Sequence, residues 1–202
     1  MTVLHLVRHG PPAPDAGPAE RWPLHPEAAT PLAALRSSGA LPDRARWFAS
    51  PEPKAFGTAR GLTDEAVGLV DGLREMTRPA EAWVDDTDEW RATVRRSMTE
   101  PDRPARPHWE TARSTTDRVV GAVRRIRESC PDDDLVLVGH GTAWTLLVAA
   151  LRRRPPDLAA WTALRMPDHC ALRLLDGTVD AADDGADVEA EMLAGWGAWS
   201  AI

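Results

Sequence analysis

Two stretches decide how this chain is read: Val3-Leu4-His5-Leu6-Val7-Arg8-His9-Gly10 and Leu135-Val136-Leu137-Val138-Gly139-His140-Gly141. The uninterrupted apolar run from Leu135 to Val138 is the pattern of a strand buried on both faces. Val3 to Val7, β-branched and apolar, reads the same way. Between them, Arg46–Ala49 and Ala66–Val70 are short strand candidates. Helical spacing of apolar residues marks Glu27–Arg36, Pro51–Leu62, Thr111–Ser129 and Thr142–Leu151. Gly39 is suited to end the first of these, and Ser50 with Pro51 to begin the second. Ala171–Leu175 and Val188–Leu193 are late strands, the last an edge. Strands alternating with helices predict a three-layer α/β/α sandwich with a mostly parallel central sheet. Ligands of such sheets sit beyond the carboxyl ends of the strands. Both His-Gly pairs fall there, so two residues far apart in sequence are expected to meet at one crevice.

The chain has 202 residues, which fits a single domain with residues 79–107, charged and dotted with Trp and Pro, as a small helical cap insertion. A net charge of -7 argues against a nucleic-acid binder, because phosphate backbones need a basic footprint, though not against a local basic pocket for one phosphate. Two cysteines, Cys130 and Cys170, make neither a disulfide framework nor a metal motif, as in a reducing cytoplasm. MTVLHLVRHG has no signal-peptide pattern, and the apolar stretch Ala143–Leu151 is too short for a bilayer. A cytoplasmic location without membrane or nucleic-acid partners is therefore expected; the sequence carries no reading of oligomeric state. Among many Arg there is one Lys, Lys54, and no Asn, Gln or Tyr.

A neutral imidazole is a usable nucleophile near neutral pH. Transferring a phosphoryl group needs cations and backbone donors around its oxygens. Arg8 offers a planar fork beside His9, Gly10 and Gly141 allow close backbone approach, and the helix after His140 adds a positive dipole end. A leaving alkoxide needs a proton, so a carboxylic acid belongs nearby. The other histidines read as structural (His5) or as surface and loop residues (His25, His108, His169). Trp83, Trp90 and Trp109 read as cement for a small cap or as lining of a cleft. Asp132 to Asp134 read as a solvated turn.

LVRHG at residues 6–10 resembles the signature of the histidine phosphatase superfamily, which includes the phosphoglycerate mutases. Ser50 to Ala59 is similar to its S-P-x-x-R-A-x-x-T-A block, Leu73-Arg74-Glu75 to its L-x-E block, and residues 135–141 to its second-histidine block. Glu110-Thr111 with Arg118-Val119 is similar, more weakly, to its G-E-S block. The resemblance runs in order from residue 3 to about residue 150. It implies His9 as the nucleophile that becomes phosphohistidine, with Arg8 and His140 on the phosphoryl oxygens. Glu75 would be the proton donor, and Gly10, Lys54 and Gly141 phosphate-binding. It implies no metal and no cofactor.

Two positions depart from that pattern. Lys54 stands where the family has Arg, keeping charge but losing the fork; Arg60 would be a neighbouring replacement. Pro11-Pro12-Ala13-Pro14-Asp15 replaces a Thr and an Asn common after the nucleophile. Asp15 and Glu81 are further candidate acids. The implied function is hydrolysis of a small phosphorylated substrate, with activity reduced by Lys54. The alternatives are phosphoglycerate mutase-type transfer and a non-catalytic phosphate-binding protein on the same fold.

Overall fold

A computed structural model describes residues 2–15, 17–79, 86–176 and 188–201. Glu81 and Trp83 lie outside the described residues. Six strands form one sheet: β1 (Val3–Arg8), β2 (Arg46–Ala49), β3 (Val67–Leu69), β4 (Leu135–Gly139), β5 (Asp168–Asp176) and β6 (Val188–Ala194). Their order is β3-β2-β4-β1-β5-β6, parallel from β3 to β1, with β5 antiparallel to β1 and β6 antiparallel to β5. The helices are α1 (Ala29–Ser37), α2 (Pro53–Leu62), α3 (Thr87–Thr99), α4 (Ala112–Ser129), α5 (Gly141–Leu151) and α6 (Leu158–Ala163).

Strand alternation sorts the two faces. Leu4, Leu6, Leu135, Leu137, Cys170 and Leu172 pack with Val119, Val123 and Ile126 of α4 and with Trp144 and Leu147 of α5. Val7, Val136 and Val138 turn to the other side, against Leu32 and Leu35 of α1 and Ala59 and Leu62 of α2. Helices on both faces explain why β4 is apolar at every position, with all five residues buried. A third cluster, Met76, Val94, Met98, Trp109, Leu146 and Trp161, joins α3 and α6 to the main body. Among the described residues no helix is long and apolar enough to cross a membrane.

Side-chain caps fix the starts of α3, α4 and α6. Thr111 Oγ1 accepts from Ser114 N at 3.1 Å, and Asp86 Oδ1 accepts from Asp88 N and Glu89 N at 2.9 and 3.0 Å. Gly39, at φ +73°, follows α1 in the left-handed conformation that favours glycine. Helix α2 begins at Pro53, two residues later than its sequence suggests. Ser50 N still donates to Val138 O at 2.9 Å, so the chain stays extended there, and Glu52 becomes the N-cap residue. Helix α6 was not foreshadowed; six residues carry too little periodicity to be read.

Strand β5 starts at Asp168 rather than Ala171, because antiparallel pairing with β1 continues to Arg8 opposite Asp168. His169, expected in a loop or at the surface, is therefore a buried strand residue. Its Nε2 lies 3.0 Å from His5 Nδ1, and the two rings stack with centroids 5.3 Å apart. Burial lowers the pKa of both, His169 to about 3 with the neighbouring His5 adding to the fall. Unfolded histidines protonate below about 6.5. The stability gained by holding these rings neutral is full above that pH and is lost as pH falls from there toward 3. Urea unfolding followed at about pH 7 and about pH 5 should show a loss on the order of 2 kcal/mol from His169, with His5 adding to it in the same direction. Replacing the pair together, His5→Leu with His169→Leu, should reduce that slope, leaving the part due to the buried His9 and His140; an unchanged slope would show that the pair does not titrate with folding.

Candidate active site

The register of β1 and β4 builds the site. Arg8 pairs with Gly139, and His9 N donates to Gly139 O at 2.9 Å, so both chains leave the sheet side by side. The rings of His9 and His140 meet edge to face, with centroids 5.2 Å apart. His9 Nδ1 lies 2.7 Å from Gly10 O. A carbonyl only accepts, so Nδ1 carries the proton and Nε2 keeps its lone pair. Burial, then the charges of Arg8 and Lys54 with His140 alongside, hold His9 well below the ordinary histidine pKa. His9 is therefore neutral at pH 7.

Two glycines and one threonine fix this edge. A Cβ on Gly10 would lie 3.1 Å from Leu24 Cδ1 and 3.2 Å from Ala28 Cβ, and Gly10 N donates to Thr58 Oγ1 at 2.9 Å. Thr58 in turn donates to Lys54 O at 2.7 Å, joining the nucleophile loop to α2. A Cβ on Gly141 would meet Arg8 Nε at 3.2 Å, so the missing side chain lets the guanidinium lie against the start of α5. Arg8 Nη1 donates to Leu164 O at 2.8 Å and Arg165 O at 3.3 Å, while its buried Nε has no hydrogen-bond partner among the described residues.

His140 is fully buried and occupies the N-cap position of α5 without a side-chain cap bond. Its Nε2 lies 2.9 Å from Ser50 Oγ and 3.3 Å from Glu52 Oε1. Burial, with Lys54, Arg8 and Arg78 adding to it and Glu75 opposing it, brings its pKa down to about 3.

Glu75 reaches the site from the turn after β3. Its Oε1 accepts from Ala143 N at 2.9 Å and from Met76 N at 2.9 Å, and its Oε2 from Thr142 N at 3.2 Å. The carboxylate thus satisfies orphan N–H groups at the start of α5, which has no side-chain cap of its own. Burial pushes its pKa up, but Arg78, His140 and the backbone donors outweigh that and bring it to about 2. The turn itself is braced by Arg118, which donates to Gly72 O, Arg74 O and Glu75 O at 2.9, 3.0 and 3.2 Å and pairs with Glu110 at 2.7 Å. The weakest sequence block therefore serves to position Glu75.

Lys54 is buried against the nucleophile loop, yet its ammonium donates to Glu52 Oε2 at 2.6 Å and Ala19 O at 2.7 Å. Arg60 does not reinforce it: that side chain lies at the solvent-exposed end of α2 and donates to Glu65 O at 3.2 Å. The guanidinium that joins the site is Arg78, which the sequence did not single out. It lies 5.4 Å from the Trp90 ring centroid and 5.2 Å from that of Trp109, and donates to Thr142 Oγ1 at 3.0 Å. Trp90 and Trp109 hold this cation as well as cementing α3. Asp15 is spent on Gly17 N at 2.7 Å. The structure thus gathers His9, His140, Arg8, Glu75, Lys54, Gly10 and Gly141 at one edge, and adds Glu52, Thr58 and Arg78. Thr58 stood inside the matched block without a role assigned to it, Arg78 lay beyond any block, and Glu52 sat at a position the motif leaves free.

Known structures share this architecture. The mycobacterial glucosyl-3-phosphoglycerate phosphatase is 21% identical, with a TM-score of 0.71 over 96% of this chain and 97% of that one. A phosphoserine phosphatase from Entamoeba histolytica, in complex with phosphoserine, is 17% identical, with a TM-score of 0.71 over 96% of each chain. The YhfR protein of Bacillus stearothermophilus is 18% identical, with a TM-score of 0.69 over 96% of each. No curated protein matches the chain by sequence. The model of the histidine phosphatase superfamily (branch 1) matches residues 4–182, and with nearly the whole chain covered this protein belongs to that superfamily.

Proposed function

We propose that the chain is a phosphatase that hydrolyses a small phosphomonoester through a phosphohistidine on His9. The observation that carries this reading is the bond from His9 Nδ1 to Gly10 O, which leaves an unprotonated Nε2 on a ring whose centroid is 5.2 Å from that of His140. The Nε2 lone pair attacks phosphorus, and the ester P–O bond breaks. Arg8, Arg78 and His140 meet the equatorial oxygens, the charge-stabilising role that phosphoryl transfer demands. Arg8 Nε and His140 Nδ1, both buried without a hydrogen-bond partner among the described residues, support an oxyanion as the natural occupant.

Glu75 gives the proton to the leaving alkoxide. It is ionised before substrate arrives, with its pKa at about 2. A phosphoryl group adds negative charge beside it and raises that pKa, so the carboxyl gains its proton as the ester binds. In the second half, Glu75 takes a proton from water, the hydroxyl attacks phosphorus, the P–N bond breaks and phosphate leaves with His9 restored. The described part of the 79–107 insertion, with Trp90 on α3, would cap this edge, and Arg78 enters just before it. The phosphatases of glucosyl-3-phosphoglycerate and phosphoserine among the structural neighbours support a small phosphorylated substrate, without choosing one. One observation favours a second reading, a phosphate-binding protein without turnover: the Lys54 ammonium is held by Glu52 at 2.6 Å.

Replacing His9 with Ala should lower hydrolysis of an aryl phosphate by roughly three orders of magnitude or more. Wild type quenched with detergent at alkaline pH should carry an acid-labile, alkali-stable phosphoryl group that the variant lacks; equal turnover would remove the nucleophile. Glu75→Gln should slow formation of the phosphoenzyme in a single turnover by about 10²–10⁴ with alkyl phosphates and much less with activated aryl phosphates, so equal loss in that step would assign the proton elsewhere. Arg78→Met should raise KM by about tenfold with a smaller change in kcat. Phosphate affinity with no turnover across a phosphoester panel would favour the binding reading.

A further inference from the structure

Glu52 is a carboxylate set among the groups that would hold an oxyanion. It is 3% exposed. Its Oε2 takes the Lys54 ammonium at 2.6 Å, and its Oε1 accepts from Glu75 N at 3.0 Å and lies 3.3 Å from His140 Nε2. The groups facing it are Lys54 from α2, His140 from the start of α5, and Arg78 and the Glu75 carboxylate from the segment after β3. Lys54 has three donors, and Glu52 and Ala19 O engage two. Among the described residues no acceptor engages the third, and an anion oxygen beside Glu52 Oε2 would take it.

A carboxylate at the wall of an anion pocket acts in two ways. It repels an oxyanion that has no proton to offer, and it accepts a hydrogen bond from one that has. A phosphate ester gives up its second proton near pH ~6. Sulfate has the same tetrahedral shape and holds no proton in the neutral range. A site built around one hydrogen bond discriminates strongly against a ligand that cannot make it, because a buried polar group is left unpaired.

We propose that Glu52 is a specificity-determining residue that reads a proton on the anion. The pocket takes a phosphoryl group in its protonated form, the P–OH donating to Glu52 while Lys54 meets a neighbouring oxygen, and it excludes sulfate and fully deprotonated oxyanions. This rests on the reading of the pocket as a phosphoryl site, but not on turnover. His9 and His140 stay neutral through the window of interest, and Glu75 stays ionised in the free site.

Calorimetric titration of the full chain with methylphosphonate and with sulfate, at about pH 5.5 and about pH 8.5, tests it. Methylphosphonate resists hydrolysis and, like a phosphate monoester, has no P–OH left once its second proton is lost, whereas inorganic phosphate keeps one. Methylphosphonate should bind the wild type at the lower pH and weaken at least about tenfold at the higher, and sulfate should bind at neither. Glu52→Gln keeps the shape and supplies an amide donor; it should bind sulfate and lose most of the pH dependence for methylphosphonate. Wild type binding sulfate as well as methylphosphonate would overturn the proposal, and that arm needs no variant. So would a Glu52→Gln protein that keeps both the discrimination and the pH slope, which would move the proton to Glu75. Absence of methylphosphonate and inorganic phosphate binding at both pH values would end this proposal and the anion-site reading together. Binding with the expected proton preference but no hydrolysis of any ester would support the proposal while removing the phosphatase.

Discussion

The parallel pairing of β1 with β4 is the constraint from which the rest follows. One register, Arg8 opposite Gly139, sends His9 and His140 off the same sheet edge. Neighbouring strands lie ~4.8 Å apart, and the two ring centroids are separated by 5.2 Å, barely more than that spacing. A slip of one residue would turn one imidazole to the opposite face. The fully buried β4 forbids such a slip, because every residue of it is packed. The hydrophobic core therefore sets the chemistry's geometry.

Charge is managed at the same edge by mutual neutralisation. Arg8, Lys54 and Arg78 face Glu52 and Glu75, so two carboxylates offset part of the positive charge before any anion arrives. Both histidines are kept neutral by burial and by these cations, which a nucleophile needs. Glu75 serves α5 as an N-terminal cap, and so the acid is held by the same helix whose dipole would favour a phosphoryl group. Binding and proton placement are coupled by that shared helix end.

How much of this the sequence exposes depends on how local each signal is. The layered α/β sheet and the edge carrying His9 and His140 were legible, since apolar runs, strand-end glycines and their alternation with helices are short-range patterns. Glu75 was legible through its block, and Glu110 with Arg118 only faintly. What stayed hidden is pairwise and distant. Lys54 looks like a free cation until Glu52, two residues away, is found to share its buried ammonium. Arg78 has no motif, because two indoles from separate segments hold it. His169 seemed a loop residue, since Pro167 masks a strand whose start is dictated by its partner β1. Residue spacing reports faces and turns; it does not report which charges will be enclosed together.

Asp168 ties the far end of the chain to this pocket. The carboxylate is 1% exposed and accepts from Arg165 N, His169 N and Gly197 N at 2.9, 2.9 and 2.8 Å, with Trp199 Nε1 at 3.3 Å. The carbonyls of Leu164 and Arg165 in turn anchor the guanidinium of Arg8. The wall behind that fork is thus pinned to a segment just past the last strand. Anyone fusing a purification handle or a reporter close behind Trp199 would be pulling on the bracket that aims Arg8, and a spacer long enough to leave the 197–199 turn undisturbed becomes part of sound experimental practice with this protein.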